Sequence, residues 1–296
     1  VSEVGLIWLI DADPPSEAGG GKGFYPAARY KTSPDHAVMM HRFQTIASLV
    51  DSEAGGMAVI TLHTSPRYRK DFFEGPYQEF WQERRRAGTS IALHPHEDRE
   101  DGSSLYDELD HLERVIEASM RRAASANISF DIFRSGGFSF HPDLPALLRQ
   151  VGLTADCSAA PGRRDLSRAI DWPAAQVTAI GEVEREVAEV PLGWNGSGTT
   201  LERDYLYNEK QDLEGLKRVW DCILRQSETP RNPRAVNFLT HAFGLVDPRW
   251  RDQAIRFLDW ACRHGGALVN AEGALRMMSL TRVSERQPTA PISAGR

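Results

Sequence analysis

The chain has little of what would place it in several broad classes. Cysteine is scarce: Cys157, Cys222 and Cys262 are three in 296 residues, widely spaced and without a CxxC pair. That excludes a disulfide framework and fits a reducing compartment. No apolar run is long enough to span a bilayer. Positive charge is not in excess; the formal net charge is −6, which argues against a nucleic-acid backbone as the main partner. The basic cluster Arg84, Arg85 and Arg86 reads as the solvated face of a mixed helix. Residues 1–10 are too short and too poor in positive charge for a secretory signal, so the expected location is cytoplasmic. The glycine-rich stretch 19–23 lacks the spacing of a phosphate-binding loop, and Lys22 is not followed by Ser or Thr. It reads as a mobile loop near a site.

What is present is an ordinary globular composition, 41% hydrophobic and 26% charged, over a length that suits a single α/β barrel. Short continuous apolar runs predict strands at 4–10, 57–62, 90–93, 128–133, 153–157, 187–190, 235–239 and 267–270. Helical spacing predicts helices at 33–53, 76–86, 105–124, 142–151, 213–225 and 248–263. The stretch 159–208 is irregular. Strands that are apolar throughout, alternating with helices, indicate a parallel sheet covered by helices, as an open doubly wound sheet or a closed barrel. Residues 1–283 read as one domain and 284–296 as a disordered tail.

Reactive side chains gather where these strands end. Asp11 and Asp13 follow the first, His63 the second, His94 and His96 the third, Arg134 the fourth and His241 a late one. In α/β barrels that rim is where catalytic groups from different strands converge. Asp11 and Asp13, one residue apart at a strand end, point to the same side. One can bind a metal while the other acts as a base. Imidazoles supply neutral ligands to Zn²⁺ and similar ions, and a three-ligand site leaves room for a water that the metal acidifies. An arginine keeps a neighbouring carboxylate ionised, and a further histidine can protonate a leaving amine. Together these groups suit an amide hydrolase.

These residues, in this order, resemble the polysaccharide deacetylase family (NodB homology, carbohydrate esterase family four), in its divergent Asp-x-Asp branch, over a layout from residue 4 to 270. Leu9-Ile10-Asp11-Ala12-Asp13 matches the first motif, Ser90-Ile91-Ala92-Leu93-His94 the start of the second, Phe133-Arg134-Ser135-Gly136-Gly137-Phe138 the third and Asn237-Phe238-Leu239-Thr240-His241 the fifth; Asp171-Trp172 is a loose match to the fourth. The resemblance implies a distorted (β/α)7 barrel and a metal-dependent N-deacetylase acting on an amino sugar or polysaccharide, in surface polysaccharide or O-antigen biosynthesis. Its partner is an N-acetylated sugar or glycan. It implies Asp11 as catalytic base, Arg134 as its brace, His241 as general acid, and Asp13 and His94 as ligands of a divalent metal, Zn²⁺ before Co²⁺, Ni²⁺ or Mn²⁺. The family's second histidine falls where this chain has Asp98. The third ligand is therefore open between His96 and Asp98, with His96 favoured on donor chemistry.

Singly, each residue has a plainer reading. Asp11 and Asp13 can end a strand, His94 and His96 can sit on a surface loop, Arg134 can make a structural ion pair, and His241 can be a satisfied core histidine. Joint placement at four strand ends favours the site. His36, His41 and His111 read as helical and structural, His141 and His264 as capping or solvent-facing, and Trp194 and Tyr205 as packing. His63 stands where it can line the site. Two other functions compete: a barrel phosphoesterase, whose His-x-His follows the first strand rather than the third, and a glycan-binding protein with a decayed metal site.

Overall fold

The computed structural model describes residues 3–13, 36–64, 70–99, 103–175, 179–180, 186–227 and 235–285. The glycine-rich stretch 19–23, the expected helix start at 33–35 and the tail beyond Glu285 lie outside them. Eleven strands are present among the described residues: β1 (Val4–Asp11), β2 (Val59–His63), β3 (Ser90–His94), β4 (Ile132–Phe133), β5 (Ala155–Asp156), β6 (Arg164–Asp165), β7 (Ile170–Asp171), β8 (Ala179–Ile180), β9 (Val187–Glu189), β10 (Ala235–His241) and β11 (Gly266–Leu268). Between and after them come α1 (His36–Ala54), α2 (Gly75–Arg86), α3 (Leu109–Ser125), α4 (Leu144–Gln150), α5 (Leu213–Ser227), α6 (Ala242–Val246), α7 (Pro248–Arg263) and α8 (Ala271–Glu285).

Seven strands run parallel in the order β10-β1-β2-β3-β4-β5-β9. β8 adds antiparallel to β9, and β11 pairs with the start of β1. The sheet curls into a half-barrel lined by helices, the (β/α)7 architecture of NodB-like deacetylases. The gap between β9 and β10 is spanned by the chain that follows β9: the Gly193 N–H donates to the Asn237 carbonyl and the Asn237 N–H to the Pro191 carbonyl. The Asn237 side chain donates to Val190 O at 2.6 Å and Cys157 O at 3.3 Å.

Every residue of β1, β2 and β3 is buried. A parallel strand is covered on both faces, so its sequence is apolar without alternation. The helices turn one stripe inward: Met39, Phe43, Ile46, Val50 and Ala54 on α1, and Leu112, Val115, Ile116, Ser119 and Ala123 on α3. α7 starts at Pro248, and the Asp247 carboxylate accepts from the Arg249 N–H at 2.9 Å, a capped start with proline at the first helical position.

β4 is shorter than the expected 128–133. The Asp131 carboxylate, itself paired with Arg85 at 2.6 Å, accepts the Ile91 N–H at 2.9 Å. A side chain there takes a bond that a strand carbonyl would otherwise accept. The barrel of alternating elements is as expected; α8 and the β6–β7 hairpin are additional.

Candidate active site

Register brings the site residues level. Asp11 lies opposite His241 across β1 and β10, and His63 opposite His94 across β2 and β3. Asp13 follows β1 by two residues. The intervening Ala12 N–H is fixed by the Thr61 hydroxyl at 3.0 Å. All of these side chains stand at the C-terminal rim.

Asp13, His63 and His94 are buried with one donor atom each within 4.8 Å of one another. Asp13 Oδ1 lies 3.5 Å from His94 Nε2 and 3.8 Å from His63 Nε2. Ligands about 2.05 Å from a tetrahedral ion stand roughly 3.3 Å apart, so the trio is close to coordinating geometry. His94 Nδ1 donates to the Arg134 carbonyl at 2.8 Å, which directs the Nε2 lone pair towards Asp13. Neither Asp13 Oδ1 nor His94 Nε2 has a hydrogen-bond partner among the described residues. Two buried acceptors facing each other call for a cation between them, and two imidazoles with one carboxylate are a donor set that suits Zn²⁺. Burial works against a charge on Asp13, but His94, His63 and His241 outweigh it and hold its pKa well below the usual carboxylate range.

The third member of this group is His63, not His96. His96 turns its Nδ1 to Asp98 Oδ2 at 2.8 Å, and Arg168 approaches the other Asp98 oxygen at 3.7 Å. The His96 ring stacks on His63, centroids 5.5 Å apart. Burial disfavours protonation of His96, yet Asp98 prevails and raises its pKa. The loop after Arg134 presses on this ring: a Cβ at Gly136 would lie 2.8 Å from His96 Cα, so glycine is required for that approach. His96 and Asp98 therefore form a buried pair beside the trio.

Beside the trio, Arg134 Nη2 meets Asp11 Oδ2 at 3.2 Å, with Arg134 stacked over the Phe138 ring at 4.4 Å. His241 Nε2 lies 4.0 Å from the same Asp11 oxygen. The other His241 nitrogen, Nδ1, faces Glu209 Oε2 at 3.3 Å, and Glu209 Oε1 accepts the His241 N–H at 2.9 Å. Any side chain at Gly244 would collide with that carboxylate. Burial pulls the His241 pKa down, but Glu209, followed by Asp11 and Asp13, lifts it to about 9. His241 thus carries a proton at neutral pH. The Tyr207 ring stacks against it at 5.4 Å and the Phe243 ring lies at 5.0 Å.

Sequence reasoning gave no role to Glu209, which lies just past the irregular stretch with no motif around it. His63 had a signal, its place at a strand end. Asp171 is exposed in β7 and stands 3.6 Å from Arg164. Its neighbour Trp172 donates to the Phe138 carbonyl at 2.8 Å, supporting the Arg134 loop from behind. Trp194 and Tyr205 are buried, and His111 pairs with Glu97 at 2.7 Å; all three are placed as packing or structural residues.

Solved structures share this architecture. The chain aligns over 97% of its length with 93% of a Mycobacterium smegmatis protein assigned as a polysaccharide deacetylase (TM-score 0.61, 12% identity). It aligns over 93% with 91% of a Pseudomonas aeruginosa PAO1 protein of the same assignment (TM-score 0.54, 14% identity). The chain has the polysaccharide deacetylase fold. A Puue allantoinase matches equally well, over 95% of this chain and 91% of its own (TM-score 0.60, 12% identity), so the fold alone does not select the reaction. No protein-family model matches the chain. No curated protein matches it by sequence.

Proposed function

We propose that this protein is a metal-dependent hydrolase that removes the N-acetyl group from an amino sugar or glycan. The observation that carries the reading is the convergence at one rim of the Asp13–His63–His94 trio, the Asp11–Arg134 pair and a protonated His241. A base, an acid and a cation-binding group are what amide hydrolysis needs. The fold shared with the two proteins assigned as deacetylases supports the choice of substrate.

In this reading Asp13, His63 and His94 would hold a divalent metal, Zn²⁺ before Co²⁺, Ni²⁺ or Mn²⁺, which would supply Lewis acidity towards the amide carbonyl and the attacking water. Arg134 orients Asp11 and stabilises its charge. Asp11 takes a proton from the attacking water. His241, kept charged by Glu209, gives its proton to the departing nitrogen. Asp11 and His241 are register partners on β1 and β10, which supports giving base and acid roles at one scissile bond to them. Tyr207 and Phe243 form an aromatic wall around His241, which limits water at the proton donor and offers rings to a sugar face.

The test is acetate release from N-acetylglucosamine oligomers and from N-acetylated sugars of surface polysaccharides and O-antigens, with Zn²⁺ or Co²⁺ supplied. The reading expects release by the native chain and a fall of about 10²–10⁴-fold in kcat for Asp11→Asn. No acetate from any N-acetyl sugar, together with hydrolysis of allantoin, would move the assignment to the other activity known on this fold. An Asp11→Asn protein that hydrolyses at the native rate would refute the role given to Asp11.

A further inference from the structure

Behind Arg134 lies a second pair of acids. Asp156 on β5 and Glu189 on β9 are register partners in adjacent parallel strands, and both are 0% exposed. Each carboxyl has one oxygen well satisfied. Asp156 Oδ1 accepts from the Ser158 N–H at 3.0 Å and from the Ser158 hydroxyl, whose oxygen in turn accepts the Ser135 N–H at 2.7 Å. Glu189 Oε1 accepts the Ala159 N–H at 2.9 Å. The remaining oxygens, Asp156 Oδ2 and Glu189 Oε2, meet no N–H or O–H of any described residue, and the two side chains leave neighbouring strands at the same register level.

Two buried carboxyl groups in that relation cannot both ionise; a proton must stand between them. The cation acting on both is Arg134, which reaches Asp11 through Nη2 while its Nε and Nη1 have no hydrogen-bond partner among the described residues. The other titratable groups around the pair are the Cys157 thiol and the Tyr106 hydroxyl, both pushed up by burial and so neutral, and Asp11 on the far side of Arg134.

We propose that Asp156 and Glu189 are an acid pair sharing one proton, and that the pair's single negative charge positions Arg134 against Asp11. Asp156 and Glu189, the last residues of β5 and β9, are positioning residues: they act through Arg134. Their importance for hydrolysis rests on the reading of Asp11 as base; the pair itself does not. Ser158 ties the pair to the backbone of Ser135, the residue after Arg134, so the loop and its side chain are held from the same carboxylate. Burial raises the pKa of both acids, and the proton belongs to the pair rather than to either residue.

Glu189→Gln tests the proton. Glutamine is isosteric with a protonated glutamate and donates the same bond to Asp156. A group whose folded pKa is raised contributes stability below its unfolded pKa and loses it as pH rises through the folded value. The native chain therefore loses stability relative to Glu189→Gln as pH climbs from about 5 to about 8, and the gap between their unfolding midpoints widens. A constant gap overturns the shared proton.

The positioning role is read from the Arg134 Nε–H signal by NMR, assigned by its disappearance in Arg134→Lys. The signal persists in Glu189→Gln, which keeps one negative charge. In the double variant Asp156→Asn/Glu189→Gln, which carries no charge at the pair, it shifts and exchanges about tenfold faster or more; an unchanged signal overturns the positioning role. Where the double variant does not fold, the native signal is followed from about pH 8 down to about pH 5. It moves as the pair takes its second proton, and a flat titration overturns the proposal. None of these readings needs hydrolysis, so their failure is separate from failure of the deacetylase assignment.

Discussion

At the scale of single residues, the difference between His63 and His96 shows how register outranks local spacing. His63 and His94 end adjacent strands in matched register, so their rings face the same volume above the sheet. His96 lies two residues beyond the strand, after Pro95, where Asp98 captures it at 2.8 Å. A His-x-His on one segment is easy to see in a sequence; a His on each of two strands becomes one site only when the pairing is known. Asp13, His94, Asp11, Arg134 and His241 were all legible as strand-end residues, and the structure gathers them. Glu209 was not, because a glutamate in an irregular stretch has no periodicity to mark it.

Glu209 is nonetheless the residue that sets the His241 proton. With Glu209→Gln, the His241 pKa, measured by NMR on chelator-treated protein, falls from about 9 towards its ordinary value. The sign for stability follows from the raised folded pKa. The contribution of His241 is complete below about pH 6.5 and is lost as pH rises through about 9. Glu209→Gln loses that contribution, so its unfolding midpoint differs more from the native one near pH 6 than at neutral pH and converges with it above about pH 9. A His241 that titrates identically in both proteins would remove Glu209 from the account.

At the scale of elements, long buried strands were legible close to their full extent, whereas β4 and β5 were legible in place and are shorter than the expected 128–133 and 153–157. β1, β2, β3 and β10 are continuous apolar runs whose burial on both faces matches their composition. β4 and β5 are two residues each because loops and side chains supply the bonds around them, Asp131 to Ile91 among them. α8 escaped because its inward residues, Ala271, Ala274 and Met278, are small or flexible and are interrupted by Gly273. Its start was marked all the same: Asn270 Oδ1 accepts the Gly273 N–H at 3.0 Å, an arrangement asparagine favours at helix starts. The capped start of α7 gives a prediction at this scale. Asp247→Ala costs about 1 kcal/mol in denaturant unfolding, while metal content stays at the native value. A loss of metal in that variant would mean that α7 supports the site more directly than its cap bond implies.

At the scale of the whole molecule, the half-barrel buries several ionisable groups. Asp13, Asp11, Arg134, Asp156 and Glu189 are all buried. Burying so many ionisable groups is costly unless each is paired, and a fold selected for stability alone has no use for them. In the proposed reading, the arrangement is the cost of a site in which a base, its brace and a metal group are fixed before substrate arrives. The parallel sheet covered by helices was legible from the alternation of runs; its barrel form was implied by the family resemblance. The bridge that spans the gap between β9 and β10 was not, since it is made by loop backbone and by Asn237.

The most direct measurement is the metal content of the purified chain, by elemental analysis, for the native protein, His63→Ala and His96→Ala. The account predicts about one divalent ion per native chain, lost in His63→Ala and kept in His96→Ala. Retention in His63→Ala with loss in His96→Ala would contradict the trio. A native chain that takes up no metal even when supplied with Zn²⁺ would contradict the hydrolase reading as a whole.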